Sequence, residues 1–184
     1  MVTSVNRHKG FYIGRYEASI NGTVAQSKRG QIAKVEILQT DSISACTNNT
    51  EIPNMHLMYG IEWDTTLNWL NDNAIIAAST EGTTKTLKLV DIQTDSRTWG
   101  NYSNSIGNAA TGKGSIQKTG TSEYWKANNI YDLAGNVFEW TQEKNSTGTS
   151  RANRGGSGRH KGDEYPVATR NSYPATEPNI NIRL

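Results

Sequence analysis

One segment in the last third of the chain constrains the fold more than any other, because it combines glycines, aromatics and carboxylates at short spacing. Residues 128–141 read NNIYDLAGNVFEWT, and residues 151–157 follow as RANRGGS. Gly135 and the pair Gly155-Gly156 allow backbone conformations that are closed to residues with a β-carbon. Apolar side chains alternate after Gly135, which predicts a short strand. We therefore expect a tight turn, a strand and then a second glycine-shaped turn.

Two shorter patterns predict structure in the N-terminal part. Residues 10–19, GFYIGRYEAS, alternate in the manner of a strand. Asn21-Gly22 follows at once and predicts a hairpin turn. Residues 42–48 carry apolar Ile43 and Cys46 at helical spacing, which predicts a short helix.

The clearest helix is predicted over residues 61–73, where Trp63, Leu67 and Leu70 fall on one face. Residues 79–120 are mostly Thr, Ser, Gly, Asn and Lys, and they predict long ordered loops. Two helices followed by mostly irregular chain indicate an α+β fold.

Composition and charge exclude several classes of protein. The chain has 184 residues, which suits one domain, and its five Trp and eight Tyr argue against disorder. Its 19 basic and 17 acidic residues leave a formal charge of +2, without the basic stripe that a nucleic-acid partner needs. No apolar run is long enough to span a membrane, and the N-terminus lacks the apolar core of a signal peptide. The single cysteine, Cys46, allows no disulfide within the chain and is expected to be a buried apolar residue.

These motifs, in this order, resemble the formylglycine-generating-enzyme branch of the C-type lectin fold. That family has an opening strand like residues 10–19, a helix like residues 59–64 (YGIEWD), the hallmark N-x-YDLxGNVWEW, RGGS, and GFR in the last strand. Here the last motif reads Asn181-Ile182-Arg183, a departure that weakens the match at the chain end. The resemblance implies one C-type-lectin-like domain over residues 1–184, with two helices around short antiparallel sheets and long ordered loops.

The resemblance also implies a candidate calcium site. Matching positions in the enzyme family help to bind calcium through carboxylate and carbonyl oxygens, the ligands that this hard cation prefers. Asp132 and Glu139 are the matched side chains here. The alternative is a metal-free network, in which these carboxylates accept backbone N–H bonds or pair with Arg154 or Arg183. No cofactor is required on either interpretation.

The enzymatic activity of that family is not expected. By resemblance, its catalytic members oxidise a cysteine in a sulfatase with copper and two of their own cysteines, which follow RGGS. In this chain residues 158–170, GRHKGDEYPVATR, contain no cysteine. Soft Cu(I) needs thiolate ligands, so the redox chemistry has no ligands here. His8, His56 and His160 have no metal-binding spacing either. We therefore expect a protein that is not an enzyme.

A second group with this fold comprises the variable proteins of diversity-generating retroelements, in which a reverse transcriptase rewrites adenine-bearing codons near the C-terminus. This chain is similar to them because a mixed polar run replaces the catalytic cysteines and the chain ends at the last strand. The similarity implies a variable, ligand-binding region at about residues 141–184. The expected ligand-binding residues are Arg159, His160, Lys161, Asp163, Glu164, Tyr165, Thr169, Asn171, Ser172 and Tyr173. Four arginines are expected to support the fold and bond loop carbonyls, namely Arg151, Arg154, Arg170 and Arg183.

The expected function is thus recognition of a protein or carbohydrate target on a cell or virion surface, by a protein of viral or prokaryotic origin. The expected location is the virion or cell surface, with no nucleic-acid partner and no membrane insertion. The alternative is a catalytically dead formylglycine-generating-like domain that serves as a structural or carbohydrate-binding module. A further alternative is that residues 158–173 are an ordinary polar loop region without any target.

Overall fold

The computed structural model describes residues 10–77, 82–110, 112, 114–145, 148–179 and, for the backbone alone, 182–183. Short helices and short strands, joined by irregular segments, make an α+β fold, as the sequence predicts. The elements in chain order are β1 (Ala18–Asn21), β2 (Val24–Ser27), α1 (Gln39–Thr47), α2 (Gly60–Leu70), β3 (Ile75–Ala77), β4 (Thr84–Thr86), α3 (Leu89–Gln93), a 3-10 turn (Gly107–Ala110), β5 (Lys126–Ala127), β6 (Ile130–Tyr131), β7 (Phe138–Lys144), β8 (Ser150–Arg154), β9 (Arg170–Pro174) and β10 (Ile182–Arg183).

The C-terminal part of the chain forms a four-stranded sheet in the order β10-β7-β8-β9. The pairs β7–β8 and β8–β9 are antiparallel, whereas β10 runs parallel to β7. Pro174 fits in β9 because this is an edge strand, where a residue without an N–H donor is tolerated. The other described strands form three two-stranded sheets, β1-β2, β3-β4 and β5-β6.

Two clusters of buried side chains form the core. The larger cluster joins α2 to the segments on either side of α3 and includes Trp63, Trp99 and Tyr102, none of which is exposed. The smaller cluster packs α1 and β2 against β7 and includes Phe138 and Trp140. Cys46 belongs to the smaller cluster, as predicted, and its burial raises the pKa of the thiol to about 11.

The main helix is confirmed with shorter bounds than predicted. Trp63, Leu67 and Leu70 are all buried on one face of α2. The helix ends at Leu70 and not at residue 73, because Asn71 leaves the helical region with a ψ of 126° and Asp72 has a φ of +61°. The predicted helix over residues 42–48 is α1, which begins three residues earlier, at Gln39. The Gln39 side chain donates to the Thr141 carbonyl at 3.1 Å and ties this start to β7.

The predicted strand over residues 10–19 is wrong for most of its length. Strand β1 begins only at Ala18, and its turn is centred on Gly22-Thr23, one residue after the predicted position. A side chain takes the place of a strand partner before β1: the Ser27 hydroxyl accepts from the Tyr16 N–H and donates to the Tyr16 carbonyl, both at 2.9 Å. An alternating pattern does not distinguish these two ways of satisfying the backbone.

The interpretation of residues 79–120 as loops missed β4, α3 and the 3-10 turn. Helix α3 has only five residues, too few for a periodic pattern. Tertiary contacts hold it, since both the Ser96 hydroxyl (2.7 Å) and the Trp99 indole N–H (3.1 Å) donate to the Asp91 carbonyl. Within the described ranges, no helix has both the length and the apolar character needed to cross a membrane.

Candidate ligand-binding surface

The inner strand β8 ends in a buried arginine that supports the following loop. Arg154 is 3% exposed. Its guanidinium donates to Asp64 at 3.0 Å, to Glu143 at 3.1 Å and to the Ala168 carbonyl at 3.2 Å. A planar fork of donors suits such simultaneous contacts to α2, β7 and a loop. The prediction that Arg154 bonds a loop carbonyl is confirmed.

The other arginines that are expected to support the fold differ from Arg154. Arg151 donates to the carbonyl of the preceding residue, Ser150, at 3.2 Å, at the start of β8. Arg170 is exposed and pairs with the Glu143 carboxylate at 2.5 Å, so it bonds a side chain and not a carbonyl as predicted. The Arg183 side chain lies outside the described residues.

The turn after Arg154 requires glycine at two successive positions. Gly155 and Gly156 have φ values of +91° and +77°. A β-carbon on Gly156 would lie 2.5 Å from the Tyr165 carbonyl oxygen and 2.6 Å from the Tyr102 ring. The Gly155 carbonyl accepts the Tyr102 hydroxyl at 2.8 Å and the Gly135 N–H at 2.6 Å. The two glycine turns recognised in the sequence are therefore in direct contact.

Residues 158–173, the display segment, begin at this turn, and hydrogen bonds to the segment 96–104 fix their backbone. The His160 carbonyl accepts the Ser103 N–H at 2.9 Å, and the Gly162 carbonyl accepts the Ser96 N–H at 3.0 Å. The Val167 N–H donates to the Ser96 hydroxyl at 3.0 Å, and the Val167 side chain is fully buried. The course of the loop thus depends mainly on its backbone and on a few small buried residues.

The ten predicted ligand-binding residues divide into two groups by exposure. The exposed group comprises Arg159, Lys161, Asp163, Glu164 and Ser172. The half-buried group comprises His160, Tyr165, Thr169, Asn171 and Tyr173. A binding role for either group stays a prediction, but the side chains of the first group are the more exposed ones, for example 56% for Lys161 and 38% for Asp163.

The aromatic members of the half-buried group pack on the sheet beneath them. The His160 ring lies 4.7 Å from the Tyr165 ring and 5.2 Å from the Phe138 ring, in edge-on contacts. Tyr173 lies 6.2 Å from Trp140. The His160 Nδ1 is 2.6 Å from the Ser157 hydroxyl, and burial lowers the pKa of the imidazole. These rings hold the display segment against β7 and remain partly exposed to solvent.

The exposed charges of the display segment are already arranged in pairs. Lys161 contacts Glu164 at 2.6 Å, and this hydrogen bond raises the pKa of the ammonium. Asp163 accepts from the Asn104 amide at 2.8 Å, which lowers the pKa of the carboxyl, and lies 3.4 Å from Arg97. Exposed pairs of this kind contribute little to stability, so they can exchange for contacts with a ligand at low cost.

The sequence did not reveal the role of Asn136, whose side chain joins three distant segments of the chain. Its fully buried amide makes four hydrogen bonds, the full capacity of the group. The Oδ1 accepts from the Gln117 N–H at 2.8 Å and from Asn101 at 3.0 Å, while Nδ2 donates to the Gln117 carbonyl at 3.2 Å and to buried Glu17. The available signal was its place after Gly135, since Asn tolerates the φ of +55° found there.

The two candidate calcium ligands lie at different depths. Asp132 is fully buried and accepts the Gly120 N–H at 2.7 Å, a contact typical of the metal-free alternative. Glu139 is half-buried on β7. Calcium takes about six to eight oxygen ligands, and among the described side chains no group of three or more His, Cys, Asp or Glu converges. These side chains alone do not form a calcium cage, and the calcium site stays a prediction.

A comparison with solved structures identifies the fold, whereas comparisons of sequence do not. No protein-family model and no curated protein sequence matches the chain. Among solved structures, Treponema denticola variable protein 1 is similar, with a TM-score of 0.55 and 16% identity over 90% of this chain and 73% of that chain. At this level of identity the likeness establishes architecture only, and the small sheets and few helices agree with it. The chain therefore has the C-type lectin fold of that variable protein.

Proposed function

We propose that this chain is a non-catalytic variable protein of a diversity-generating retroelement, which displays a diversified C-terminal surface to bind a macromolecular target. The observation that carries the proposal is the arrangement of the display segment on this fold. Its backbone is held by buried residues and by hydrogen bonds to the segment 96–104, while six of its side chains are exposed, namely those of Arg159, Lys161, Asp163, Glu164, Arg170 and Ser172. A surface that must vary needs a scaffold that does not depend on the varying side chains.

The chemistry of the exposed residues favours a protein target. Arg159 and Lys161 lie within five positions of Asp163 and Glu164, so both signs of charge occur side by side. Such a mixture suits a partner whose surface carries complementary charges of both signs. The half-buried rings of Tyr165 and Tyr173 add rigid apolar area, as tyrosine does in antibody loops.

The genetic test examines the DNA beside the coding sequence. We expect a reverse-transcriptase gene and a template repeat that is nearly identical to the segment encoding residues 141–184, with mismatches confined to template adenines. A complete locus that lacks both elements would overturn the retroelement proposal and favour the structural or carbohydrate-binding module.

The biochemical test compares two libraries on the full chain. The first randomises the exposed residues Arg159, Lys161, Asp163, Glu164 and Ser172. The second randomises five buried residues of the same sheet and loop, Phe138, Trp140, Ala152, Asn153 and Val167. Most members of the first library should remain folded by proteolysis, and display selection against a folded test protein such as lysozyme should yield binders from it alone. Equal loss of folding in both libraries would contradict the proposal.

A further inference from the structure

A cavity of about 550 Å³ lies apart from the predicted ligand-binding residues, none of which lines it. It is open to solvent and is lined mainly by residues 10–14 and 16–18, by residues 52–58 before α2, and by parts of β6 and β7. Its volume falls within the range of small-molecule sites in proteins, about 300–1,000 Å³. Neither the fold nor the proposed display function accounts for a cavity of this size.

The walls of the cavity are mainly apolar and aromatic. The rings of Tyr16 and Tyr131 lie 5.0 Å apart and tilted by 31°. Trp140, which is only 1% exposed, forms part of another wall of the cavity. Tyr12, whose side chain is fully exposed, also lines the cavity. Aromatic faces carry negative partial charge, so such walls accept both an apolar group and a cation.

The charged groups of the cavity are mostly acidic. Glu17, Glu62 and Glu139 line it, and among the described residues no Lys or Arg does so. The single basic group is His56, whose Nε2 lies 3.0 Å from both carboxylate oxygens of Glu62. Burial by itself raises the pKa of Glu62, but the hydrogen bonds from His56 and from the Tyr59 N–H outweigh it and lower that pKa. Among the described lining residues, three carboxylates against one imidazole give an excess of negative charge. Two cations outside the lining, Arg29 and Lys126, lie over the Tyr131 ring at 5.8 Å and 5.4 Å, so the carboxylates and not this ring are the main attraction for a cation.

From this combination we propose that the cavity binds a small organic cation with an apolar body, of the aryl-alkylamine class. The ring of such a ligand packs against Tyr16, Tyr131 and Trp140, and its ammonium group faces the carboxylates. This site is separate from the display segment, so the two can be tested independently.

The ligand class is tested by titrating the full chain with three compounds that share a phenyl ring and a similar chain length. These probes are phenethylammonium, 3-phenylpropionate and 3-phenylpropanol, followed by calorimetry and by the fluorescence of the protein. We expect saturable binding of phenethylammonium, roughly tenfold tighter than that of the alcohol because its hydrogen bond to a carboxylate is charge-assisted, and no binding of the acid. Equal affinities, or no saturable binding at millimolar concentration, would overturn the proposal.

Variants then locate the site. Glu62→Gln removes one charge but keeps an oxygen that can accept the Tyr59 N–H at the start of α2. It should weaken phenethylammonium binding roughly tenfold, whereas Glu36→Gln, at an exposed carboxylate outside both the cavity and the display segment, should leave binding unchanged. Tyr12→Ala alters a fully exposed side chain, so folding is preserved, and should weaken binding about threefold. Unchanged affinity in both cavity variants would exclude this site.

Discussion

The framework segment, residues 132–140, and the display segment, residues 158–173, meet at the Gly155-Gly156 turn but use their side chains in opposite ways. In the framework segment every residue except Glu139 is buried, and the amide of Asn136 satisfies groups on three other parts of the chain. In the display segment exposed and half-buried residues alternate with small buried ones. Its main-chain bonds run to Ile92, to the segment 96–104, to Asn136 and, in β9, to β8.

The difference shows which changes each region tolerates. A substitution in the framework segment removes packing or hydrogen bonds that have no substitute, because close-packed interiors relax only partly. A substitution of an exposed display residue removes only exposed side-chain hydrogen bonds or solvent-screened ion pairs. Side-chain identity and backbone course are therefore tightly coupled in the framework segment and nearly independent at the exposed positions of the display segment.

The largest effect is expected at Gly135. A β-carbon there would lie 2.1 Å from the Asn101 carbonyl oxygen, and φ is +79°. Gly135→Ala should destabilise the fold by about 4 kcal/mol, from overpacking plus left-handed strain. Gly148→Ala is the matched control, because φ is +69° but nothing lies within 4 Å of the added atom, and it should cost only about 1 kcal/mol. Denaturant unfolding measures both, and equal costs would contradict the close approach.

A smaller loss is expected from Arg154→Lys. Lysine keeps the charge but cannot reach Asp64, Glu143 and the Ala168 carbonyl together, so we expect a loss of about 2 kcal/mol in the free energy of unfolding. Hydrogen exchange in the display segment should also become faster. Arg159→Lys, at an exposed position, should stay within about 0.5 kcal/mol of the parent protein. Similar values for the two variants would mean that Arg154 does not support the loop.

Two histidines should titrate on opposite sides of the ordinary value of 6.5. The hydrogen bond to Glu62 raises the pKa of His56, whereas burial lowers the pKa of His160 in the display segment. NMR titration of the imidazole protons should resolve both, with His160→Gln and His56→Gln giving the assignments. A His160 pKa above 6.5 would mean that its ring is not held against Phe138 and Tyr165.

The sign of each contribution to stability follows from these directions. His56 binds its proton more tightly in the folded state, so its contribution is complete below pH 6.5 and is lost as pH rises through the raised folded pKa. His160 binds its proton less tightly when folded, so stability falls as pH drops below 6.5 towards the lowered pKa. His56 is partly exposed, so its effect should stay below about 1 kcal/mol.

The sequence predicted those parts of the fold whose pattern is local. The apolar face of α2 and the glycines of both turns are visible as spacing and residue type, and the structure confirms them. Strand β1 was misplaced because the Ser27 hydroxyl satisfies the backbone of Tyr16, a contact between positions eleven residues apart. Helix α3 was missed because its support comes from Ser96 and Trp99, outside any pattern of its own.

The candidate site was predicted less completely than the fold. Residue type indicated which side chains are polar, but the exposure of a side chain depends on its neighbours in space. The rings of His160 and Tyr165 pack against Phe138, and the ring of Tyr173 packs against Trp140, so all three are partly buried. The buried amide of Asn136 forms hydrogen bonds with Gln117, Asn101 and Glu17, which lie far from it in the sequence. Long-range contacts of this kind leave no periodic signal in a single sequence.

The smallest effect is expected from calcium, which tests whether the framework segment is complete without a metal. One Asp132 oxygen accepts the Gly120 N–H, and among the described residues no group of three or more carboxylate, imidazole or thiol side chains converges. A calcium site filled at a hundred times its Kd would add about 2.7 kcal/mol and raise the Tm by roughly 5–10 °C in a chain of this length. We expect excess calcium to shift the Tm by less than about 1 °C. A rise of several degrees that EDTA reverses would instead place calcium at Asp132 and Glu139, and the rigidity of the framework segment would then depend on the ion.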